Sequence, residues 1–295
     1  MQAAAPRFRR VEVVANVASG GVAPDAARDI ERIFADFGSD AHVHAPQAGE
    51  LIKSLRAAVD AAPDLLVLLA GDGTLRAAAE LCGPTGPVIA PLPGGTMNML
   101  PHAIYGPRAW QDALSVALAQ GETRLLAGGE VEGRPFLVAA ILGTPALWAP
   151  AREAARYGQL RIAWFRARRA LHRAFTGRLR YALDGAPRDK AAAISFLTPL
   201  ISRVLDHDAE ALEAAVLDLK GAADVLSLGF HALIGDWRDA PVVEAMRCRE
   251  ARVWAAERIP AILDGEAVQL DSVAVAAYRR DIVRVLALPK DVRGA

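Results

Sequence analysis

The sequence predicts an α/β protein with two domains: a parallel-sheet domain with helices on both faces, and a second, β-rich domain of the antiparallel sandwich-like type. Two patterns support this fold class. In residues 1–124, apolar strand patterns alternate with helical patterns, which is the order of a parallel sheet. In residues 125–281, short strand patterns follow one another and are separated by turns. A hydrophobic share of 53% is sufficient for a sizeable core.

The first domain is built from short apolar runs that end in small or glycine-containing turns. Each helical pattern begins soon after such a turn, as expected of β-turn-α units. The strands are predicted at Val11–Asn16, Ala41–His44, Asp64–Leu69 and Pro87–Leu92, and the helices at Asp25–Phe37, Glu50–Ala62 and Leu75–Leu81.

The second domain consists mainly of strand patterns bounded by turn residues, which favours an antiparallel arrangement. A helical segment rich in arginine, Arg152–Arg173, interrupts these strands. The strands are predicted at Thr123–Glu132, Arg134–Gly143, Leu179–Leu183, Ala191–Leu197, Leu212–Leu219, Val242–Ala255 and Ile262–Leu270.

Charge and composition exclude several classes of protein. Lys plus Arg equals Asp plus Glu at 34 each, so the net charge predicts no nucleic-acid partner. Cys82 and Cys248 lack the spacing of metal ligands and are predicted to be buried thiols. The N-terminus lacks the pattern of a signal peptide, and no stretch reaches the roughly 20 apolar residues of a membrane span, which predicts a cytoplasmic protein. No pattern indicates the oligomeric state.

Three glycine-containing turns follow strands of the first domain, after Asn16, after Leu69 and after Leu92. In a parallel sheet such turns gather at one carboxyl edge, where open α/β sheets bind ligands. The run Ala70-Gly71-Asp72-Gly73-Thr74 joins a buried strand to a helix and leaves backbone N–H groups at a positive helix end. We therefore predict a nucleotide-binding domain, although the spacing matches neither the dinucleotide motif nor the P-loop.

The polar residues of these turns have two possible roles. Asp72 either caps the following helix or orients a Mg²⁺ ion bound to phosphate. The hydroxyl groups of Thr74 and Thr96 either donate to phosphate oxygens or cap helices.

Four motifs then stand in a fixed order along the chain. They are Asn16 with Ser19-Gly20-Gly21, Ala70-Gly71-Asp72-Gly73-Thr74, Pro93-Gly94-Gly95-Thr96-Met97-Asn98, and Leu263-Asp264-Gly265-Glu266. In residue type and order they resemble the motifs of the diacylglycerol kinase and sphingosine kinase catalytic-domain family, of the bacterial lipid kinase type. Without that family, Asp264-Gly265 would be an ordinary hairpin turn.

The resemblance implies an ATP-binding α/β domain and a β-rich lipid-substrate domain, with a cleft between them where the γ-phosphoryl group passes to a lipid hydroxyl. It also implies that the C-terminal segment 282–295 returns to the first domain. Asp264 and Glu266 would accept the proton of the attacking hydroxyl, and Asp72 would bind Mg²⁺. The residues that would contact ATP or its metal are Asn16, Ser19, Gly20, Gly71, Asp72, Gly73, Thr74, Gly95, Thr96 and Asn98.

The predicted function is that of an ATP-dependent lipid kinase acting on a primary hydroxyl, with a place in phospholipid or sphingolipid metabolism. Met99 stands where diacylglycerol kinases often have an aspartate, so both a diacylglycerol-like and a ceramide-like or sphingoid substrate are open. Two alternatives also remain open. One is a kinase of a soluble substrate such as NAD, and the other is a lipid- or nucleotide-binding regulator without turnover.

The segment Arg152–Arg173 has a helical pattern in which arginines stand among aromatic and aliphatic residues. It is either a solvated helix packed on the core or a membrane-facing element. In the second case each arginine near an anionic surface would contribute about 1 kcal/mol, and the apolar residues would enter the lipid. This second interpretation predicts peripheral association with the membrane.

Overall fold

The structure is a computed structural model that describes residues 7–17, 22–23, 25–47, 49–143, 179–202, 204–206, 208–217 and 243–289. The chain divides into two compact units, and the divisions fall after Leu126 and after Arg279. The sequence predicted these boundaries after residue 124 and after residue 281. The first unit therefore combines the N-terminal part of the chain with a C-terminal segment.

The first unit is an α/β unit. Its strands β1–β4 are Val11–Ala15, Ala41–His44, Leu65–Ala70 and Val88–Pro93, and its helices α1–α5 are Ala26–Asp36, Leu51–Asp60, Asp72–Cys82, Met99–Tyr105 and Trp110–Gln120. The predicted elements are all present within a few residues of their expected bounds. Helices α4 and α5 were not predicted.

The four strands form a parallel sheet in the order β2-β1-β3-β4. All six residues of β3 are buried, which requires cover on both faces of the sheet. Helices supply that cover in two groups: α1 contacts β2 and α5, while α2 contacts β1 and α3. The predicted parallel sheet with helices on both faces is confirmed.

The remaining strands, β5–β16, are Glu122–Val131, Arg134–Phe136, Ala139–Gly143, Leu179–Leu183, Asp189–Ala191, Ala193–Leu197, Leu212–Leu217, Val243–Cys248, Glu250–Trp254, Ile259–Leu263, Glu266–Leu270 and Val273–Ala287. The divisions between the two units fall inside β5 and inside β16.

The second unit is β-rich and antiparallel. Six strands form one sheet in the order β12-β11-β10-β7-β14-β15. A second group of strands pairs as β9-β8-β13, and β13 also pairs with the first half of β16. Buried side chains from both groups, including Phe196, Leu212 and Val253, share one hydrophobic core. The predicted antiparallel sandwich-like architecture is confirmed.

Three predicted strands are each two shorter strands, and in two cases a distant carboxylate explains the break. The backbone N–H groups of Leu137, Val138 and Ala139, between β6 and β7, donate to Asp264. The N–H groups of Arg249 and Glu250, at the start of β13, donate to Asp184. Backbone groups that bond to a side chain are lost to the strand ladder, so the strand stops there. The third break is the hairpin turn at residues 264 and 265 between β14 and β15.

The C-terminal half of β16 completes the sheet of the first unit. Val285 pairs in parallel with Ile89 of β4. The phenol of Tyr105 donates to the carbonyl of Leu286 at 2.7 Å, and burial raises the pKa of that phenol. The guanidinium of Arg284 donates to the carbonyl oxygens of Thr85 and Gly86.

The two cysteines are free and buried, as predicted. Across the part of the chain that is described, every helix is too short or too polar to cross a bilayer.

Candidate functional site

The loops after β3 and β4 meet at the carboxyl edge of the first unit's sheet, beside the end of β1. These three strands are neighbours in the sheet and run in the same direction. The N–H of Asn16 donates to the carbonyl of Leu69 at 2.9 Å, and the N–H of Gly94 donates to the carbonyl of Ala70 at 3.2 Å. The structure thus brings the turns after β3 and β4 together beside Asn16, whereas residues 18–21 of the predicted turn after β1 lie outside the described residues.

Glycine is required where the loops after β3 and β4 touch. A Cβ on Gly95 would lie 2.6 Å from the Cα of Gly71, and a Cβ on Gly94 would lie 2.6 Å from the backbone N of Ala70. Both distances are far inside van der Waals contact with backbone atoms that cannot move aside. Gly94 is not among the site residues predicted from the sequence, although the Gly-Gly doublet at 94 and 95 was the signal that could have identified it.

Gly71 differs from these two glycines. A Cβ there would meet the Cα of Gly95 at 3.6 Å, which is ordinary contact, and its backbone is extended with φ −82° and ψ 167°. Packing within the described residues therefore does not demand glycine at this position. A glycine at the N-terminal end of α3 leaves open space beside the first backbone N–H groups of the helix, where a phosphate can approach.

Asp72 caps a helix, but it is not the helix that follows it. Its two carboxylate oxygens accept the N–H groups of Met99 at 3.1 Å and Leu100 at 3.0 Å, in the first turn of α4. The interpretation that Asp72 caps α3 is therefore wrong, because the bonds run to α4. Each oxygen retains further lone pairs, so the assignment of Asp72 to Mg²⁺ stays a prediction.

Asn98 shapes the loop before α4. Its backbone is left-handed, with φ 49°, and its side-chain amide is bonded at both ends to Gly95. The N–H of Gly95 donates to Oδ1 at 2.7 Å, and Nδ2 donates to the carbonyl of Gly95 at 3.1 Å. This pair of bonds closes a tight turn, so Asn98 holds the loop whether or not it also contacts a nucleotide.

The two threonines differ in exposure. Thr74 lies in the first turn of α3 and is 9% exposed, and its N–H donates to the carbonyl of Gly71 at 3.0 Å. Thr96 is exposed on the loop before α4. Gly73 lies beside Thr74 in α3. The contacts of Thr74, Thr96 and Gly73 with ATP stay predictions. Two further parts of the predicted site, Ser19 with Gly20 and the segment Arg152–Arg173, lie outside the described residues.

Asp264 belongs to the second unit and is 6% exposed. Its backbone is left-handed, with φ 46°, in the turn between β14 and β15. Its carboxylate accepts three consecutive backbone N–H groups: those of Leu137 at 2.6 Å, Val138 at 2.9 Å and Ala139 at 2.9 Å. Such charge-assisted bonds fix the start of β7 against the turn.

Glu266 lies two residues later and has a different environment. It is exposed at the start of β15, where it pairs with Leu263 across the hairpin. The motif predicted the same role for both carboxylates. The structure distinguishes them, because one is buried and bonded to the backbone while the other faces solvent.

The architecture and the loops define a class: an α/β protein with glycine loops at the carboxyl edge of its parallel sheet and a second, β-rich unit. Residues 10–131 match the family model of the diacylglycerol kinase catalytic domain. This stretch contains the first three of the four motifs, so the resemblance is confirmed for residues 10–131, which are similar to a diacylglycerol kinase catalytic domain.

Solved structures share the fold along nearly the whole chain. A diacylglycerol kinase from Bacillus anthracis str. Sterne is 15% identical with a TM-score of 0.67, and the match covers 96% of this chain and 98% of the other. A proposed diacylglycerol kinase from the same strain is 17% identical with a TM-score of 0.70, covering 97% and 99%.

An NAD kinase from Archaeoglobus fulgidus, solved in complex with ATP, is 14% identical with a TM-score of 0.57, and the match covers 97% and 96% of the two chains. None of the curated proteins compared with this chain matches it. The likenesses to solved structures establish the fold, and the matched catalytic domain marks the protein as kinase-like.

Proposed function

We propose that this protein is an ATP-dependent lipid kinase that transfers the γ-phosphoryl group to a primary hydroxyl of a diacylglycerol-like or ceramide-like lipid. One observation carries the proposal: two glycine loops touch at the carboxyl edge of a parallel sheet, within a diacylglycerol kinase-like catalytic domain. Open α/β sheets bind nucleotides at that edge.

The loops suit a triphosphate because their glycines place no side chain beside the backbone donors. Gly71, Gly73 and Thr74 surround the N-terminal end of α3, where the helix dipole favours anions. Asn16, Thr96 and Asn98 stand on the neighbouring loops. Ser19 and Gly20 belong to the same proposed set on the evidence of the motif alone.

Asp72 is the proposed ligand of Mg²⁺, since a carboxylate is the ligand type that Mg²⁺ prefers. When bound, the ion would neutralise charge on the phosphate oxygens. The two bonds from Asp72 to α4 would hold the carboxylate in a fixed orientation for that purpose.

In the transfer step, the oxygen of the lipid hydroxyl forms a bond to the γ-phosphorus. The bond from that phosphorus to the bridging oxygen breaks, and ADP leaves. We assign Glu266 as the group that takes the hydroxyl proton, because its carboxylate is exposed. Asp264, with three backbone bonds, is assigned as a positioning residue that holds the turn carrying Glu266.

A lipid acceptor is supported by the Asp-Gly-Glu motif and by the sequence of Arg152–Arg173, in which arginines stand among aromatic residues. The second candidate function is phosphorylation of a soluble substrate such as NAD. The fold shared with an NAD kinase favours this alternative.

Labelled ATP distinguishes these functions. The protein is incubated with Mg²⁺, labelled ATP and, in separate reactions, micellar diacylglycerol, monoacylglycerol, ceramide, sphingosine or NAD. Label in a lipid product supports the proposal, and label in NAD alone overturns it in favour of the second candidate. ATP binding without any labelled product identifies a non-catalytic regulator and also overturns it.

Glu266→Gln tests the proposed general base, because it removes the carboxylate and keeps the size of the side chain. A positioned general base contributes about 10² to 10⁴ in rate, so we expect a loss of that size with ATP affinity unchanged. Unchanged turnover would remove Glu266 from the proposed role.

Membrane docking is proposed for the segment Arg152–Arg173. Charge reversal at Arg166, Arg168 and Arg169 should reduce sedimentation with anionic vesicles while turnover on short-chain, micellar lipid persists. Unchanged sedimentation would contradict this part of the proposal and leave the kinase assignment intact.

A further inference from the structure

Three metal-ligating side chains cluster in the first unit on strands β1 and β2. In the parallel register Glu12 pairs with His42, and Val14 pairs with His44. Because side chains two residues apart on a strand share a face, Glu12, His42 and His44 all project from the same side of the sheet. Strand β2 lies at the edge of the sheet. The fold therefore places the two histidines of the His-x-His pattern beside the glutamate of the neighbouring strand.

The three side chains converge on a single point. Nδ1 of His42 lies 3.0 Å from Oε2 of Glu12, and Nε2 of His44 lies 2.6 Å from the same oxygen. All three possible ligand atoms lie within 4.8 Å of one another, and the two imidazole rings meet edge to face with centroids 4.4 Å apart.

We propose that Glu12, His42 and His44 form a binding site for a divalent transition-metal ion of the Zn²⁺ type. Two imidazole nitrogens and one carboxylate oxygen are a common three-ligand set for such ions, with water in the remaining position. Ligand atoms about 2.0–2.1 Å from a tetrahedral ion stand about 3.3 Å apart. The separations from Glu12 therefore need to widen, by about 0.3 Å for His42 and about 0.7 Å for His44, and the two imidazole nitrogens, now within 4.8 Å of each other, need to reach the same spacing.

The exposure of the cluster permits both entry of the ion and this adjustment. All three residues stand on paired strands, but the side chain of His42 is 70% exposed and can shift, whereas those of His44 and Glu12 are only 22% and 15% exposed. Two of the ligands are therefore held in place by their surroundings, and the side chain of His42 can move to complete the site.

The ligand chemistry separates this site from the proposed nucleotide site. Imidazole suits Zn²⁺, Ni²⁺ and Cu²⁺, while Mg²⁺ prefers oxygen ligands in octahedral geometry. Millimolar Mg²⁺ should therefore fail to displace the ion from the cluster. The inference is independent of the kinase assignment, since it uses none of the loop residues.

The test is metal binding by the full chain, prepared without a polyhistidine tag and stripped with a chelator. Zn²⁺ is titrated calorimetrically, and Co²⁺ is followed by its visible absorption, with Mg²⁺ present throughout. We expect one tight Zn²⁺ ion per chain and the absorption of nitrogen-ligated Co²⁺. His42→Gln and His44→Gln should each weaken binding by about tenfold or more.

His102→Gln is the matched control, because His102 is an exposed histidine on α4 outside the cluster, and it should bind Zn²⁺ like the parent. Zn²⁺ should also raise the melting temperature of the parent and of this control, and not that of the His42→Gln/His44→Gln double variant. The proposal is overturned if the parent binds no Zn²⁺, or if both cluster variants bind it as tightly as the parent. In either case the three side chains would be joined only by the hydrogen bonds that the two imidazoles donate to Glu12.

Discussion

Asp264 and Glu266 are two residues apart and lie in different environments. The first accepts three backbone N–H groups in a buried turn, and the second is an exposed residue at the start of β15. A carboxylate bonded to three amides is stabilised in place, whereas an exposed one can exchange a proton with a substrate. This difference in environment is the basis for the proposed division between a positioning residue and a general base within a single motif.

Asp264→Ala should lower the free energy of unfolding by about 3 kcal/mol, because three amides near the turn lose their acceptor. Urea unfolding of the parent and the variant measures this change. Glu266→Gln is the matched control and should stay within about 0.5 kcal/mol of the parent, as exposed substitutions do. Equal effects of the two changes would contradict the division of roles.

The two buried thiols should react slowly in the folded protein. Burial raises the pKa of Cys82 to about 11, and burial together with the charge of Asp184 raises that of Cys248 to about 12. Since the thiolate is the reactive form, both thiols should react slowly with a disulfide reagent at pH 8, and the rate should rise as pH approaches these values. Protein unfolded in guanidinium is the control and should react at once; rapid reaction of the folded protein would contradict the burial.

At the scale of elements, the site of the first unit is a pair of loops locked to one another. Gly95 approaches Gly71, and Asp72 at the start of α3 caps α4. Displacing either loop therefore displaces the other. The short helix α4 depends on this cap, because the side chain of Asn98 is occupied with Gly95.

Gly95→Ala and Gly71→Ala form a matched pair. Gly95→Ala should lower the free energy of unfolding by about 1–3 kcal/mol, since its Cβ would overlap the backbone of the facing loop. Gly71→Ala should be tolerated by the fold but should weaken ATP binding, because its Cβ would occupy the space proposed for phosphate. Thermal unfolding and binding of a fluorescent ATP analogue measure the two effects; undiminished ATP binding by Gly71→Ala would argue against phosphate at this loop.

Asp72→Ala should reduce both stability and turnover. Loss of the cap on α4 should lower the free energy of unfolding by about 1–2 kcal/mol. Turnover, measured well below the melting temperature, should fall by several orders of magnitude because the metal and phosphate charges would no longer be aligned. If the dependence of residual turnover on Mg²⁺ concentration is unchanged, Asp72 caps α4 without binding the metal.

At the scale of the whole molecule, the first unit is assembled from two distant stretches of chain. Val283, Leu286 and Leu288 are fully buried, and Val285 pairs with Ile89 of β4. Tyr105 also bonds to the backbone of Leu286. The N-terminal part of the chain therefore lacks part of its core until the C-terminal strand is in place.

Ending the chain at Arg279 should abolish cooperative unfolding of the first unit, because its sheet loses a strand and several buried side chains. Circular dichroism and limited proteolysis measure this loss. Tyr105→Phe is the milder control: it removes one buried hydrogen bond and should cost about 1 kcal/mol while cooperativity persists. Normal unfolding of the shortened chain would show that the C-terminal strand is dispensable.

Local patterns in the sequence determined most of the architecture. Alternating strands and helices predicted the parallel sheet, the glycine turns after three strands predicted the loops at its carboxyl edge, and the four motifs predicted the kinase-like family. These features depend on neighbouring residues, since hydrophobic period and turn chemistry act over a few positions.

Tertiary structure decided which backbone groups the two aspartates bind. Asp264 reaches an amide 127 residues away, and Asp72 caps a helix 27 residues ahead of it. The same long-range bonds end strands that the apolar pattern continues through, as at Leu137 and Arg249. The backbone donors that lie near a carboxylate are fixed only when the chain has folded. Local sequence pattern therefore predicts neither these strand breaks nor the hydrogen-bond partners of the two aspartates.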